Sequence, residues 1–97
     1  MKFMISWQFH PGKLSDALAV FSQMTPEQDK QDHGPHIKLI GRWHDLARGR
    51  GVAICESDSA EAISNWALNW NSLLDADIAV VLDDEETRAL GKKRAKS

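Results

Sequence analysis

The sequence predicts an α+β fold in which a four-stranded antiparallel sheet carries two helices on one face. Three observations support this prediction. The chain opens with alternating apolar and polar residues, two later segments show apolar stripes at helical spacing, and the resulting order of elements is β-α-β-β-α-β. With 97 residues the chain is long enough for one domain and too short for two cores.

The first strand and the first helix follow from spacing alone. Every second residue from Phe3 to Phe9 is aromatic or isoleucine, which is typical of a strand with one buried face. Apolar residues at helical spacing predict a helix over about 12–24. The segment 25–35 is polar, contains two prolines and a glycine, and shows no periodicity, so we expect an exposed loop there.

A hairpin and a second helix come next. Strands are predicted at about 36–45 and 51–57, joined by a turn rich in glycine and arginine. The helix that follows carries Ile63, Trp66 and Trp70 on one stripe, which predicts that this stripe faces the sheet.

The C-terminal part supplies the last strand and a charged end. The nearly continuous apolar run 78–82 predicts a strand that is central in the sheet or covered on both faces. The acidic residues 83–86 predict the first turn of a short helix. Residues 1–91 hold eight basic and 14 acidic side chains, a formal charge of −6, while four basic residues lie within 92–97. We therefore expect one ferredoxin-like domain over 1–91 and a basic, disordered tail over 92–97.

The open face of the predicted sheet calls for a partner. Every strand contributes apolar residues in both registers, so neither face is expected to lie in water. A homodimer in which two sheets pack face to face would cover the face that the helices leave open.

The segment 41–45 is the strongest candidate for a functional site, because it places a cation, an indole, an imidazole and a carboxylate at the end of one strand. His44 can act as an acid or a base near neutral pH, and Arg42 shares its face and can hold an anion through paired hydrogen bonds. We predict His44 and Arg42 as the catalytic residues. Gln8 and His10 of the first strand would complete the polar mouth of the pocket.

Tryptophan is the second feature of the predicted site. Trp66 and Trp70 lie one helical turn apart, and Trp43, which should point away from Arg42 and His44, is expected to pack under a helix beside Trp7. These indoles would form the aromatic wall of a ligand pocket. The alternative is that they are simply the core, since large aromatic residues dominate small cores.

Several function classes are disfavoured. The histidine spacings match no compact zinc signature, and we predict neither a metal nor another cofactor. Residues 50–55 follow the outline of the third strand of RNA-recognition modules, but Val52, Ile54 and Glu56 occupy the base-stacking positions and the body is acidic, which argues against nucleic acid. No stretch is apolar enough to span a membrane, and the single Cys55 and the absence of a signal-peptide pattern predict a cytoplasmic protein.

Several of these segments together resemble a known family. They are Phe3-Met4-Ile5-Ser6-Trp7, Gly41-Arg42-Trp43-His44-Asp45, Gly49-Arg50-Gly51, Trp66 with Trp70, and Val81-Leu82-Asp83-Asp84-Glu85. The chain looks like a family of small bacterial domains of unknown function within the dimeric α+β barrel superfamily. The resemblance implies the ferredoxin-like fold and a dimer formed through the sheets, but no reaction. Members elsewhere in the superfamily include cofactor-free monooxygenases, isomerases, heme-handling proteins and amino-acid-sensing regulators, and such an analogy assigns no activity.

The sequence therefore predicts a homodimeric domain that binds a small apolar, anionic or phenolic molecule at the end of the first and second strands. Two interpretations stay open. The domain is a cofactor-free enzyme with acid–base or monooxygenase-like chemistry, in which His44 moves the proton and Arg42 holds the anion. Alternatively it is a non-catalytic binding or interaction module, in which Arg42 and His44 make polar contacts to Glu56 and hold the dimer together.

Overall fold

Four strands and four helices make up the computed structural model, which describes residues 1–96. The strands are β1 (Lys2–Phe9), β2 (Lys38–Asp45), β3 (Arg50–Glu56) and β4 (Leu74–Val81). The helices are α1 (Leu14–Ser22), α2 (Pro26–His33), α3 (Ala60–Trp70) and α4 (Asp84–Ala95), and a 3-10 turn (Leu46–Arg48) joins β2 to β3. None of the helices within residues 1–96 is both long and apolar enough to cross a membrane.

The sheet has the strand order β2-β3-β1-β4, and all three neighbouring pairs are antiparallel. This order places β1 and β3 in the centre and β2 and β4 at the edges. The predicted α+β, ferredoxin-like fold class is confirmed. Two helices appear in addition to those predicted from apolar stripes, so the observed order is β-α-α-β-β-α-β-α.

The core lies between the central strands and α3. Phe3 and Ile5 of β1 and Ala53 and Cys55 of β3 are buried on the same face of the sheet, and Ile63 of α3 packs against them. These side chains come from alternate positions of each strand, as the period of two requires. Burial also raises the pKa of the Cys55 thiol.

A β-bulge in β2 decides which residues of the candidate segment face the helices. Leu39 pairs with Cys55, but Gly41 rather than Ile40 pairs with Ile54, so the register shifts by one residue. Every residue after the bulge therefore changes face. The prediction that Trp43 packs under a helix is wrong for this reason: its side chain lies on the open face and is 60% exposed.

The segment predicted as an exposed loop contains the helix α2, and that prediction is wrong as well. Thr25 and Gln28 form a reciprocal capping box, Pro26 occupies the first turn, and Gly34 ends the helix with a positive φ of 85°. No residue of α2 is buried. A helix without an apolar stripe shows no hydrophobic periodicity in the sequence. Only the residues that begin and end it, the capping box with Pro26 and the terminal Gly34, could have predicted it.

The last strand and the C-terminal segment also differ from expectation. β4 is an edge strand, and Val80 is 62% exposed although it lies on the helix side of the sheet, so the strand is not covered on both faces. Residues 92–95, expected to be disordered, continue α4, where their basic side chains lie at the favourable C-terminal end of the helix dipole. Ser97 lies outside the described residues. Lys2 fixes the start of α4 through Asp83 and Glu86, at 3.3 and 3.0 Å.

Candidate functional site

An apolar cleft of about 80 Å³ lies on the helix side of the sheet, at the end where β1 and β2 finish and β3 and β4 begin. It is bounded by the sheet, α1 and α3. Its walls are five aromatic residues (Trp7, Phe9, Phe21, Trp66, Trp70), four aliphatic residues (Ile5, Ala67, Leu74, Ala76), Arg42 and His44. The cleft is much larger than the roughly 10–15 Å³ that one water needs and smaller than the roughly 300–1,000 Å³ of pockets for drug-sized ligands. Its size suits one small ring.

The floor of the cleft is formed by Trp7 lying over Gly51. Trp7, Gly51 and His44 are cross-strand neighbours on β1, β3 and β2, so all three face the helices. A Cβ atom on Gly51 would collide with the Trp7 indole and would lie 2.8 Å from the carbonyl oxygen of Trp43. Glycine is therefore required for the indole to lie flat on the sheet. The Nε1 of Trp7 is buried and has no hydrogen-bond acceptor among the described residues.

His44 lines the cleft as an exposed residue whose ring packs against two aromatic rings. Its ring centroid lies 5.8 Å from that of Trp7 and 5.1 Å from that of Phe21. Within residues 1–96 neither ring nitrogen makes a hydrogen bond. Partial burial, and secondarily the charge of Arg42, lower the pKa of His44 from its usual value of 6.5. The lowered pKa favours the neutral imidazole at pH 7, which is the form that can accept a proton.

Arg42 reaches the cleft but is already engaged. Its Nη1 and Nη2 donate to Oδ1 and Oδ2 of Asp29 on α2, both at 3.1 Å, and its guanidinium carbon lies 4.7 Å from the centre of the Phe21 ring. Arg42 is 17% exposed and Asp29 23%. The pair is therefore largely shielded from water and has the bidentate geometry that fixes an arginine in one orientation. Within the subunit the carboxylate that Arg42 contacts is that of Asp29 and not that of Glu56.

A second carboxylate of α2 holds the aromatic wall. Oδ2 of Asp32 accepts hydrogen bonds from Nε1 of Trp66 and of Trp70, at 3.0 and 2.7 Å, and Oδ1 accepts one from Asn69 at 3.2 Å. Asp29 and Asp32 are three residues apart and so lie on one side of α2. This helix is attached to the site by these charged hydrogen bonds and by an edge contact of the His33 ring with the Trp66 ring, whose centroids are 5.8 Å apart.

Five of the eight residues predicted for the site meet at the cleft, and three do not. Arg42, His44, Trp7, Trp66 and Trp70 all line it. Among the other three, Trp43 is on the open face, as described above.

Gln8 and His10 also lie away from the cleft. Gln8 follows Trp7 on β1 and therefore faces the open side, where its Nε2 donates to the carbonyl oxygens of Arg48 and Gly49 at 2.8 and 3.1 Å. His10 lies beyond the end of β1, and its Nε2 is 3.0 Å from Oδ1 of Asp75.

The sequence reasoning missed the two carboxylates of α2 and the small residues of the cleft. A signal for Asp32 existed, because an indole N–H that is buried normally finds an acceptor. Trp66 and Trp70 on one stripe thus implied an acceptor nearby. No comparable signal distinguishes Ala67 or Gly51 from any other small residue. Within residues 1–96, no cluster of three or more His, Cys, Asp or Glu side chains is arranged to hold a metal ion.

Comparison with known proteins gives a family for the chain. A family model described as "Domain of unknown function (DUF3303)" matches residues 1–95. No curated protein matches the chain. The match extends over the whole sheet, the cleft and α4, and the chain belongs to the DUF3303 family.

Proposed function

We propose that this protein is a homodimeric domain that binds a small aromatic molecule in the cleft, with its one polar group directed to His44. The observation that carries the proposal is the composition of the cleft. Nine of the eleven residues that line it are aliphatic or aromatic, and Arg42 is paired with Asp29. The polar groups of the lining without a hydrogen-bond partner among the described residues are the ring nitrogens of His44 and the Nε1 of Trp7. An apolar cavity with a few polar groups is the usual form of a small-ligand site.

His44 also defines the chemistry that the site could add to binding. A neutral imidazole at the edge of an apolar cleft can accept a proton from a ligand O–H, and its lowered pKa keeps it in the accepting form at pH 7. Arg42 does not touch the ligand in this proposal, because Asp29 holds its paired N–H groups. The proposal is limited to binding and proton transfer and does not include oxygenation.

The open face of the sheet is the proposed dimer interface, with a second copy of this chain as its occupant. Met4, Trp43, Val52, Ile54 and Ala79 are cross-strand neighbours on this face, where Met4 is 37% and Trp43 60% exposed. Strands of seven or eight residues give a face of about 26 by 19 Å, on the order of 500 Å² per subunit. Two such faces reach the roughly 1,000 Å² that a specific interface needs.

Two further features support a dimer: an exposed tryptophan on the open face, and the helix α4, which has no buried residue. Trp43 is 60% exposed, and tryptophan is enriched among the residues that contribute most to the affinity of protein interfaces. The helix α4 has no buried residue, so it offers further surface to the second copy. The cytoplasmic location is likewise a proposal, supported by the single, free and buried Cys55.

Isothermal titration calorimetry with two neutral ring compounds, 4-methylphenol and indole, tests the binding site. The wild-type protein is compared with Ala67→Phe, which fills the cleft from α3, and with Leu68→Phe. Leu68 is the next residue of α3 and is 62% exposed, so this second variant adds a ring outside the cleft. We expect binding by the wild-type protein and by Leu68→Phe, and loss of binding by Ala67→Phe.

The proposal is wrong if neither compound binds the wild-type protein, or if Ala67→Phe binds as well as the wild type. Sedimentation equilibrium of the wild-type protein tests the dimer separately. A monomer at all concentrations would remove the proposed interface and leave the cleft in place.

A further inference from the structure

We propose that Asp29 is a specificity-determining residue that restricts the cleft to uncharged ligands by occupying Arg42. This inference rests on the proposed function, since it concerns the charge of the molecule that the cleft accepts. Arg42 is the positively charged residue among the cleft walls, and without Asp29 its guanidinium would be free to hold a carboxylate.

The geometry shows why an anion gains little from Arg42. Both terminal nitrogens of the guanidinium donate to Asp29 with matched distances of 3.1 Å, and the plane is held further by the Phe21 ring at 4.7 Å. A ligand carboxylate would have to displace the Asp29 carboxylate to form the same two hydrogen bonds. The exchange replaces one bidentate pair with another and leaves a carboxylate without its partner in a poorly hydrated position, which is unfavourable.

The surrounding charges act in the same direction. Asp32 places a second carboxylate behind the indoles of Trp66 and Trp70, so two acidic side chains and one basic one adjoin the cleft. An anion entering the cleft therefore meets a net negative surrounding. A cation would lose its hydration in an apolar cleft whose neighbouring carboxylates are already hydrogen-bonded to Arg42 and to the indoles. A neutral ring with a hydroxyl or an N–H meets neither penalty and can use His44. The same carboxylates that attach α2 to the fold thus select the ligand.

The experiment compares three ring compounds of similar shape that differ in charge: 4-methylphenol, 4-methylbenzoate and 4-methylbenzylamine. Their dissociation constants are measured by calorimetry at pH 7 for the wild-type protein, Asp29→Asn and Asp16→Asn. Asparagine keeps the shape of residue 29 and removes its charge. Asp16 is exposed on α1 and makes no contact with the cleft, so Asp16→Asn controls for the change in net charge.

We expect the wild-type protein and Asp16→Asn to bind 4-methylphenol at least tenfold more tightly than either charged compound. Asp29→Asn should bind 4-methylbenzoate about tenfold more tightly than the wild type does, because Arg42 becomes available, while its affinity for 4-methylphenol changes little. The inference is overturned if the wild type binds 4-methylbenzoate as well as 4-methylphenol. It is also overturned if a folded Asp29→Asn shows the wild-type preference.

The wild-type comparison keeps the inference falsifiable even if Asp29→Asn does not fold. Failure of the inference is distinguishable from failure of the proposed function. A wild-type protein that binds 4-methylbenzoate in the cleft has a binding site without charge selection, whereas one that binds none of the three compounds has no such site.

Discussion

On each face of the sheet a tryptophan side chain lies over a glycine, but the surroundings of the two tryptophans differ. On the helix face the Trp7 indole lies over Gly51, is enclosed by α3 and forms the floor of a cleft. On the open face the Trp43 indole lies over Gly41 and is 60% exposed. A tryptophan over a glycine thus lines a cleft on the helix face and stays exposed on the open face.

Replacing each tryptophan with alanine gives the largest expected difference between the faces. Trp7→Ala should lower the free energy of unfolding by about 3 kcal/mol, because it removes a large side chain packed against the core. Trp43→Ala should change the unfolding free energy of the monomer by less than about 0.5 kcal/mol. The same variant should weaken dimerisation by about 2 kcal/mol, close to 30-fold in the dissociation constant.

Urea unfolding at low protein concentration measures the first quantity and sedimentation equilibrium the second. Equal losses of monomer stability in the two variants would contradict the distinction between the faces. Unchanged dimerisation of Trp43→Ala would remove Trp43 from the interface.

Replacing each of the two glycines with alanine tests the same tryptophan–glycine pairs with a smaller change in the side chain. Gly51→Ala should cost about 2 kcal/mol, since the Cβ atom meets both the enclosed Trp7 ring and the backbone of β2. Gly41→Ala meets only the far end of the exposed Trp43 side chain, which can swing away, so we expect a cost below about 0.5 kcal/mol. Thermal unfolding of the two variants side by side provides the measurement. A larger loss for Gly41→Ala would show that the Trp43 ring is held firmly in the isolated subunit.

Removing the Asp32 carboxylate behind the cleft should lower the stability of the fold less than a substitution of Trp7 or Gly51 in its floor. Asp32→Ala leaves the N–H groups of Trp66 and Trp70 without their acceptor, and we expect a loss of about 1 kcal/mol because water can replace part of the lost hydrogen bonding. Asp16→Ala, at an exposed position in the first turn of α1, is the control and should cost no more than about 0.5 kcal/mol, since it removes only a favourable interaction with the helix dipole. The urea concentration at the midpoint of unfolding measures the change in stability of both variants. Hydrogen exchange along α2 should rise in Asp32→Ala alone, and unchanged exchange would mean that α2 is held by other contacts.

The smallest effect on the free energy of unfolding is expected from the protonation of His44 as the pH falls. Because the folded pKa of His44 is lowered below its usual 6.5, the unfolded chain binds more protons than the folded chain in the window between the two values. The contribution of His44 to stability is therefore complete above about pH 6.5 and is lost as the pH falls through that window. The urea midpoint of the wild type should fall more between pH 7 and pH 5 than that of His44→Gln. Parallel falls would show that His44 is not desolvated at the cleft.

The sequence was sufficient for the fold but not for the orientation of the candidate segment. The alternation in β1 and the stripe on α3 depend on local periodicity, and both appear as predicted. The bulge at Ile40 has no such signature, and a single extra residue exchanged the faces of Trp43 and its neighbours.

The helix α2 was missed for a related reason. Asp29 and Asp32 stabilise it through partners on β2 and α3 that are distant in sequence, so no local apolar pattern records the contact. Arg42 and His44 were correctly assigned to one face, but their different roles depend on Asp29, which sequence spacing could not place.

One NMR experiment examines both faces at once. The four tryptophans each give one indole N–H signal in a ¹H–¹⁵N spectrum, and replacing them singly with phenylalanine assigns the signals. On titration with 4-methylphenol, we predict that the signals of Trp7, Trp66 and Trp70 shift in a saturable manner and that the signal of Trp43 stays in place. A shift of Trp43 alone, or no shift of any of the four, would contradict the claim that the cleft on the helix face is a small-molecule site.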